Sequence, residues 1–428
     1  MAPDDLSGIA GGSAPTTPDD LSAAPDQSPP LTADDLGYRP FDADNHYYEA
    51  LDAFTRHVDP RMQPRVVQWV DMGGRKHHLV GGKLARAVAN PTWNPIAKPG
   101  ALRDYFKGNP EGRNPAEMLR DREPLPDHYM DPKARLKVMD AQGLQAVWLF
   151  PTLGVLYEEL LRRDVDAVVA MMRGFNQWLL EDWGYNRCER IFGAPYIALG
   201  DPAAAVAEVE RVLGLGARIV VMRPAAVTTR NGRLSPFHTT FDGVWQLIND
   251  AGVTVVVHAA DSGYSSQGYA DDEFSSAGLG AGMAGGPNLR AFAIERAAQD
   301  WLMQSVFEKI YDRFPNLRVA SVENGSDYLA PMFRKFSQIA RKNYWWFDDH
   351  PIDTFKAHVW VNPFWEDDVD EVTELMGADR VIFGSDWPHI EGMPEPLDYL
   401  AELKGFSDAD RRAIMLDNVA CLNQPHPT

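Results

Sequence analysis

Several apolar runs in the chain end in residues that bind metal ions or move protons. The first run leads into Asp42, Asp44, His46 and Glu49. Asp44 and His46 are two residues apart, so on an extended segment both project to one side. His258 directly follows Val255, Val256 and Val257, and Asp386 follows the run that starts at Val381. Imidazole and carboxylate together suit a divalent ion such as zinc, manganese or iron, and three or four protein ligands leave a position for water or substrate. Such an ion lowers the pKa of a water or polarises a carbonyl or carboxylate. A lone histidine at a strand end usually meets only a backbone carbonyl; the convergence of several such ends argues for a site.

Further residues sit where they could assist. Glu323 and Asn324 end the sixth apolar run; Glu323 is an acid/base candidate or a further ligand, and Asn324 a group behind the ligands. His389, three residues beyond Asp386, either takes part in proton transfer or substrate contact or makes a structural hydrogen bond. Glu49 either holds a ligand in place or caps a helix. Arg223, after Val220, Val221 and Met222, suits a bidentate grip on a substrate carboxylate or an ion pair with a neighbouring acid. Trp345, Trp346, Trp360, Phe364 and Trp365 either line an apolar pocket or fill the core.

The elements that must position these residues alternate. Strand-like runs fall at 38–43, 144–150, 191–199, 218–222, 253–257, 317–322, 358–362 and 380–384, with helical patterns at 163–183, 202–214, 240–251, 288–314, 326–342 and 367–376 between most of them. Eight such runs predict an α/β fold of the (β/α)8 TIM-barrel class, whose strand ends and following loops carry the chemistry. A long insertion, about 52–135, separates the first two strands, and a Gly/Ser-rich loop occupies 259–287; both are expected at the catalytic face.

Residues 1–37 are acidic and rich in Pro and Ala, with Pro-Asp-Asp-Leu-Ser at 3–7 and again at 18–22. This composition is not core-forming. It predicts a flexible segment, or an arm whose Leu6, Leu21 and Leu36 dock on another subunit, followed by a catalytic domain over 38–424. Across 428 residues, 61 acidic against 41 basic side chains give a net charge of −20, which disfavours nucleic acid as a partner. Only Cys188 and Cys421 are present, without metal-ribbon or disulfide spacing, and neither an export signal nor a long apolar run is evident. A cytoplasmic, non-membrane enzyme acting on a small molecule, and forming a homo-oligomer, is the expectation.

The motifs Asp42-Ala-Asp44-Asn-His46-x-x-Glu49, Pro315-Asn-Leu-Arg-Val-Ala-Ser-Val322 before Glu323-Asn-Gly325, and Phe383-Gly-Ser-Asp386-Trp-Pro-His389 resemble the amidohydrolase-related family of the amidohydrolase superfamily. This group includes aminocarboxymuconate-semialdehyde decarboxylase and the resorcylate-type decarboxylases. Ile414-Met-Leu-Asp-Asn418-Val-Ala420 matches its closing helix, and the resemblance spans about 38–424, weakest over 52–135. It implies one metal ion, zinc or manganese, held by Asp44, His46, His258 and Asp386. Two departures stand out. Asp44 replaces the commoner histidine, as in some decarboxylases, and favours a harder ion such as manganese. Glu323-Asn324 stands where many members carry an acid/base histidine.

The leading expectation is metal-dependent hydrolysis of a small, ring-bearing or carboxylate substrate, with Asp386 taking the proton of an activated water and Glu323 or His389 assisting the leaving group. The alternatives are non-oxidative decarboxylation, and a non-catalytic metal-binding scaffold.

Overall fold

The structure, a computed structural model, describes residues 36–85, 88, 90–264, 293–364 and 366–425. Most of the 1–37 segment, most of the 259–287 loop and Trp365 therefore lie outside the described residues.

The strands β1 (Phe41–Tyr47), β2 (Ala146–Pro151), β3 (Ile191–Gly193), β4 (Ile219–Met222), β5 (Thr254–His258), β6 (Arg318–Val322) and β7 (Val359–Val361) all run parallel. Single parallel bridges complete the circuit: Tyr196 with Val221 joins the β3 side to β4, Val361 with Val381 leads into an eighth segment, and Asn45 with Trp387 returns that segment to β1. A ring of parallel strands has no exposed edge, which a parallel sheet otherwise has to cover. The eighth segment is held by isolated bonds, Ile382 N–H to Val361 O at 2.9 Å and Ala43 N–H to Phe383 O at 2.8 Å, so its ladder is shorter than its apolar sequence predicts.

The helices form where aspartate caps meet apolar periodicity. Asp131, Asp164, Asp201 and Asp368 each accept a first-turn backbone N–H, opening α1 (Pro132–Ala141), α3 (Val165–Asp182), α4 (Pro202–Gly214) and α9 (Val369–Met376). Between these lie α2 (Gly154–Leu161), α5 (Asp242–Ala251), α6 (Ala293–Phe307), α7 (Leu329–Lys342) and α8 (Pro351–His358). The continuous helix expected over 288–314 instead breaks at Lys309, whose φ of 54° is left-handed, before a short turn at Ile310–Arg313. The helix α2 was not legible as one, because Gly154 at its start carries a poor propensity.

Between β1 and β2 the chain builds small antiparallel sheets. Val67–Met72 pairs with Arg75–Val80 around Gly73 and Gly74, and Ile96–Ala97 pairs with Arg122–Glu123. Part of this stretch packs on the loop after the eighth segment: Gly100 N–H donates to His389 O at 3.0 Å and Leu102 N–H to Ile390 O at 2.8 Å. Among the described residues no helix is long and apolar enough to cross a membrane.

Candidate metal centre

The residues singled out at the ends of β1, β5, β6 and the eighth segment converge. His46 Nε2 lies 3.2 Å from Asp44 Oδ1, 3.3 Å from Asp386 Oδ1 and 3.6 Å from Glu323 Oε2. His258 Nε2 lies 3.1 Å from Glu323 Oε2 and 3.5 Å from Asp44 Oδ1. Two overlapping groups, Asp44 with His46, His258 and Glu323, and His46 with Glu323, Asp386 and His389, each offer one ligand atom within 4.8 Å of all the others.

The donor set fits a cation. Both carboxylate oxygens of Asp44 and of Asp386, and the Nε2 atoms of His46 and His258, are buried without a hydrogen-bond partner. Leaving so many buried polar atoms unpaired is costly unless something they share satisfies them. His258 is already set for coordination: its Nδ1 pairs with Ala259 O at 2.9 Å, which places the proton there and leaves a lone pair on Nε2.

Electrostatics agree. Burial opposes a charge on His46, but Asp44 and Glu323 outweigh it and raise the imidazole to about 9. Burial likewise opposes ionisation of Asp44, yet His258 and His46 hold its carboxyl below the usual range. Asp386 is pushed far up, by burial first and then by the charges of Glu323 and Asp44. Too many negative groups face too little positive charge, and a divalent ion would correct the imbalance.

The local chain is shaped to this end. The four residues of β1 from Asp42 to Asn45 face the three of β2 from Val147 to Leu149, so a bulge re-aims Asp44 and His46. Asp42 clamps that bulge: its carboxylate accepts from Ser385 N–H at 2.9 Å, Ser385 Oγ at 2.6 Å and Asn45 Nδ2 at 2.9 Å. A Cβ on Gly384 would come within 2.6 Å of Asp44 Cβ, so the eighth segment reaches the pair only with glycine there. Glu323 and Asp386 both adopt left-handed backbone, with φ of 59° and 55°; such strain costs about 1–3 kcal/mol per residue and gathers at functional sites.

At three places the structure shows the alternative reading of the residues. Glu49 caps a helix through one oxygen: its Oε1 accepts from Leu153 N–H at 2.7 Å and Gly154 N–H at 3.0 Å, at the start of α2, because its strand end overlooks that helix terminus. Arg223 is engaged, its Nη1 2.6 Å from Glu159 Oε2 and 2.9 Å from Asp261 O, and its Nε 3.2 Å from Glu158 Oε2. The described tryptophans of the aromatic group do not assemble: Trp345 and Trp346 are exposed, and Trp360 donates to Asp379 O at 3.0 Å under the Arg380 guanidinium. Asn324 Nδ2 donates to the carbonyl of Val257, the residue before His258, at 2.8 Å.

Sequence reasoning missed several neighbours. Arg135 is buried, donating to Asn45 Oδ1, to His46 O at 2.7 Å and to His128 O at 2.7 Å, with the Trp183 and Trp387 rings beside it. Nothing in its local sequence marks it. Phe150, at the end of β2, lies 4.8 Å from the His258 ring. Glu391 adds a carboxyl raised to about 7, by burial first and then by the charge of Glu323.

A family model described as amidohydrolase matches residues 76–420. The chain belongs to the amidohydrolase family. The match begins beyond β1, so the Asp44–His46 pair is placed by the fold. The amidohydrolase map2389c of Mycobacterium avium subsp. paratuberculosis K-10 is 37% identical, with a TM-score of 0.83 over 90% of this chain and 99% of that one. A dihydroxybenzoic acid decarboxylase of Polaromonas sp. JS666, with bound manganese, is 17% identical at a TM-score of 0.55, over 76% of this chain and 93% of that one. A 5-carboxyvanillate decarboxylase of Novosphingobium aromaticivorans, also with manganese, is 15% identical at 0.52, over 92% and 97%. The last two share the amidohydrolase-like α/β fold. No curated protein is significantly similar to the chain.

Glu49→Ala tests the capping role. It should cost about 1–3 kcal/mol of stability, the range for stranding buried donors. Metal content, by elemental analysis, should stay at the wild-type level; its loss would return Glu49 to the ligand shell.

Proposed function

We propose that this amidohydrolase-family member is a metal-dependent hydrolase of a small organic substrate, ring-bearing or carboxylate, with zinc or manganese held by Asp44, His46, His258 and Asp386. When bound, a divalent ion there supplies Lewis acidity to an oxygen of water or substrate. The observation that carries the reading is the 2.6 Å approach of His389 Nδ1 to Asp386 Oδ1 beside that ligand set. The pair can take up a proton at Asp386 and pass it to His389. Glu323, at 17% the most exposed of Asp44, Glu323 and Asp386, can protonate a leaving group.

Decarboxylation is the second reading, favoured by the carboxylate at position 44 and by the manganese of the two decarboxylases that share the fold. The deciding experiment runs substrates in H2-18O and follows both label and CO2. Label in the product supports hydrolysis; CO2 release without label overturns it.

Glu323→Gln should lower turnover about 10–100-fold with metal retained, because the amide keeps shape but transfers no proton. Loss of metal would make Glu323 a ligand; turnover near wild type would remove it from the chemistry. Residues 1–37 are proposed to lie outside a catalytic domain spanning 38–424 and to serve as an arm between subunits of a homo-oligomer. Light scattering on protein lacking 1–36 tests this, a smaller but folded species being the expected result.

A further inference from the structure

Thr152 follows β2 and meets two other strand ends. Its Oγ1 donates to Tyr47 O at 2.8 Å, and the same oxygen lies 3.0 Å from His389 Nε2. A hydroxyl has one proton, and a carbonyl oxygen can only accept. With the Thr152 proton on Tyr47 O, the lone pair left on Oγ1 receives a proton from His389, so Nε2 is the protonated nitrogen. The other nitrogen, Nδ1, then presents a lone pair to Asp386 Oδ1 at 2.6 Å. Both Nδ1 and Oδ1 are buried, and neither has another hydrogen-bond partner. His389 is only 8% exposed, and its Nδ1 is closed to water.

We infer that Thr152 is a positioning residue: its hydroxyl, oriented by the Tyr47 carbonyl, fixes His389 as the Nε2–H tautomer and keeps Nδ1 free to act on Asp386 or on a cation shared with it. The inference concerns which nitrogen carries the proton, and its catalytic consequence rests on the proposed Asp386–His389 pair. Valine matches threonine in shape but can neither donate nor accept there. Serine keeps the hydroxyl.

The test uses full-length protein with 15N-labelled histidine, as purified and after chelation, with His389→Gln to assign the resonances. Wild type should show a pyrrole-type Nε2 and a pyridine-type Nδ1 at His389. Thr152→Val should mix the two tautomers, and Thr152→Ser should restore the wild-type pattern. Turnover of the substrate found above should fall about tenfold in Thr152→Val, less than the roughly 10²–10⁴-fold of losing an acid–base group outright, and should recover in Thr152→Ser with KM little changed. An unaltered tautomer pattern in Thr152→Val, or a serine variant as defective as the valine one, overturns the inference. Full turnover in His389→Gln overturns the acid–base reading instead, and the tautomer spectra still decide the role of Thr152.

Discussion

His258→Ala is expected to lose its metal, and Asp386→Asn to keep more metal while losing nearly all turnover. His258 presents an Nε2 whose tautomer is fixed by Ala259 O. Groups that merely support a ligand are worth about 10–100-fold in metal affinity, so deleting the ligand itself should cost at least about 100-fold. Asparagine at 386 keeps an oxygen donor and removes both the charge and the basicity. Under hydrolysis, Asp386→Asn should therefore lose about 10²–10⁴-fold in turnover. Elemental analysis and steady-state rates on both variants separate the cases. An Asp386→Asn enzyme whose activity tracks its metal content would favour decarboxylation, where no water has to be deprotonated. Wild-type protein that carries no stoichiometric divalent ion and ignores chelators would sink the metal centre itself.

Arg223→Met should destabilise the protein by about 3–5 kcal/mol, the cost of breaking a buried ion pair from one side. Glu158 and Glu159 are both nearly buried against the guanidinium. Burial opposes the charge on Arg223, but Glu158, Tyr196 and Glu159 more than compensate and hold its pKa above the usual value. Methionine fills the volume and leaves carboxylates with less cation to face. Replacing Glu158 and Glu159 with glutamine in the same protein should recover much of the loss, because the double change removes the stranded charge. Chemical denaturation measures both. A variant of wild-type stability with weakened affinity for carboxylate ligands would instead restore Arg223 to substrate binding.

The strand ends were legible in the sequence because an apolar run bounded by turn residues marks a parallel strand whatever it packs against. That pattern placed Asp44, His46, His258, Glu323 and Asp386 at one end of the barrel, and the structure gathers them into two overlapping groups that share His46 and Glu323. Helices opened by Asp-Pro, such as α4, were equally legible, since cap and φ restriction act within a few residues. The eighth strand was legible only in part: its apolar residues are buried as expected, but its pairing depends on bridges to Val361 and Asn45, far away in the chain.

Partnership is what the sequence left undetermined. Arg223, Glu49 and His389 each had two readings, and the choice turned on which distant atoms lay within about 3 Å. Glu158 and Glu159 come to Arg223 from α2, Leu153 and Gly154 bring their N–H groups to Glu49, and Thr152 comes to His389 from beyond β2. Arg135 had no sequence signal at all, because it acts on the carbonyls of His46 and His128 and these are chemically the same in every residue. The sequence by itself determined the residue types, their order around the barrel and hence the family of chemistry, since periodicity and strand-end position are local properties. Only the tertiary structure decided which of those residues share a centre and which groups face each nitrogen of His389, because hydrogen bonds and ion pairs form across the ring between segments that the sequence holds hundreds of residues apart.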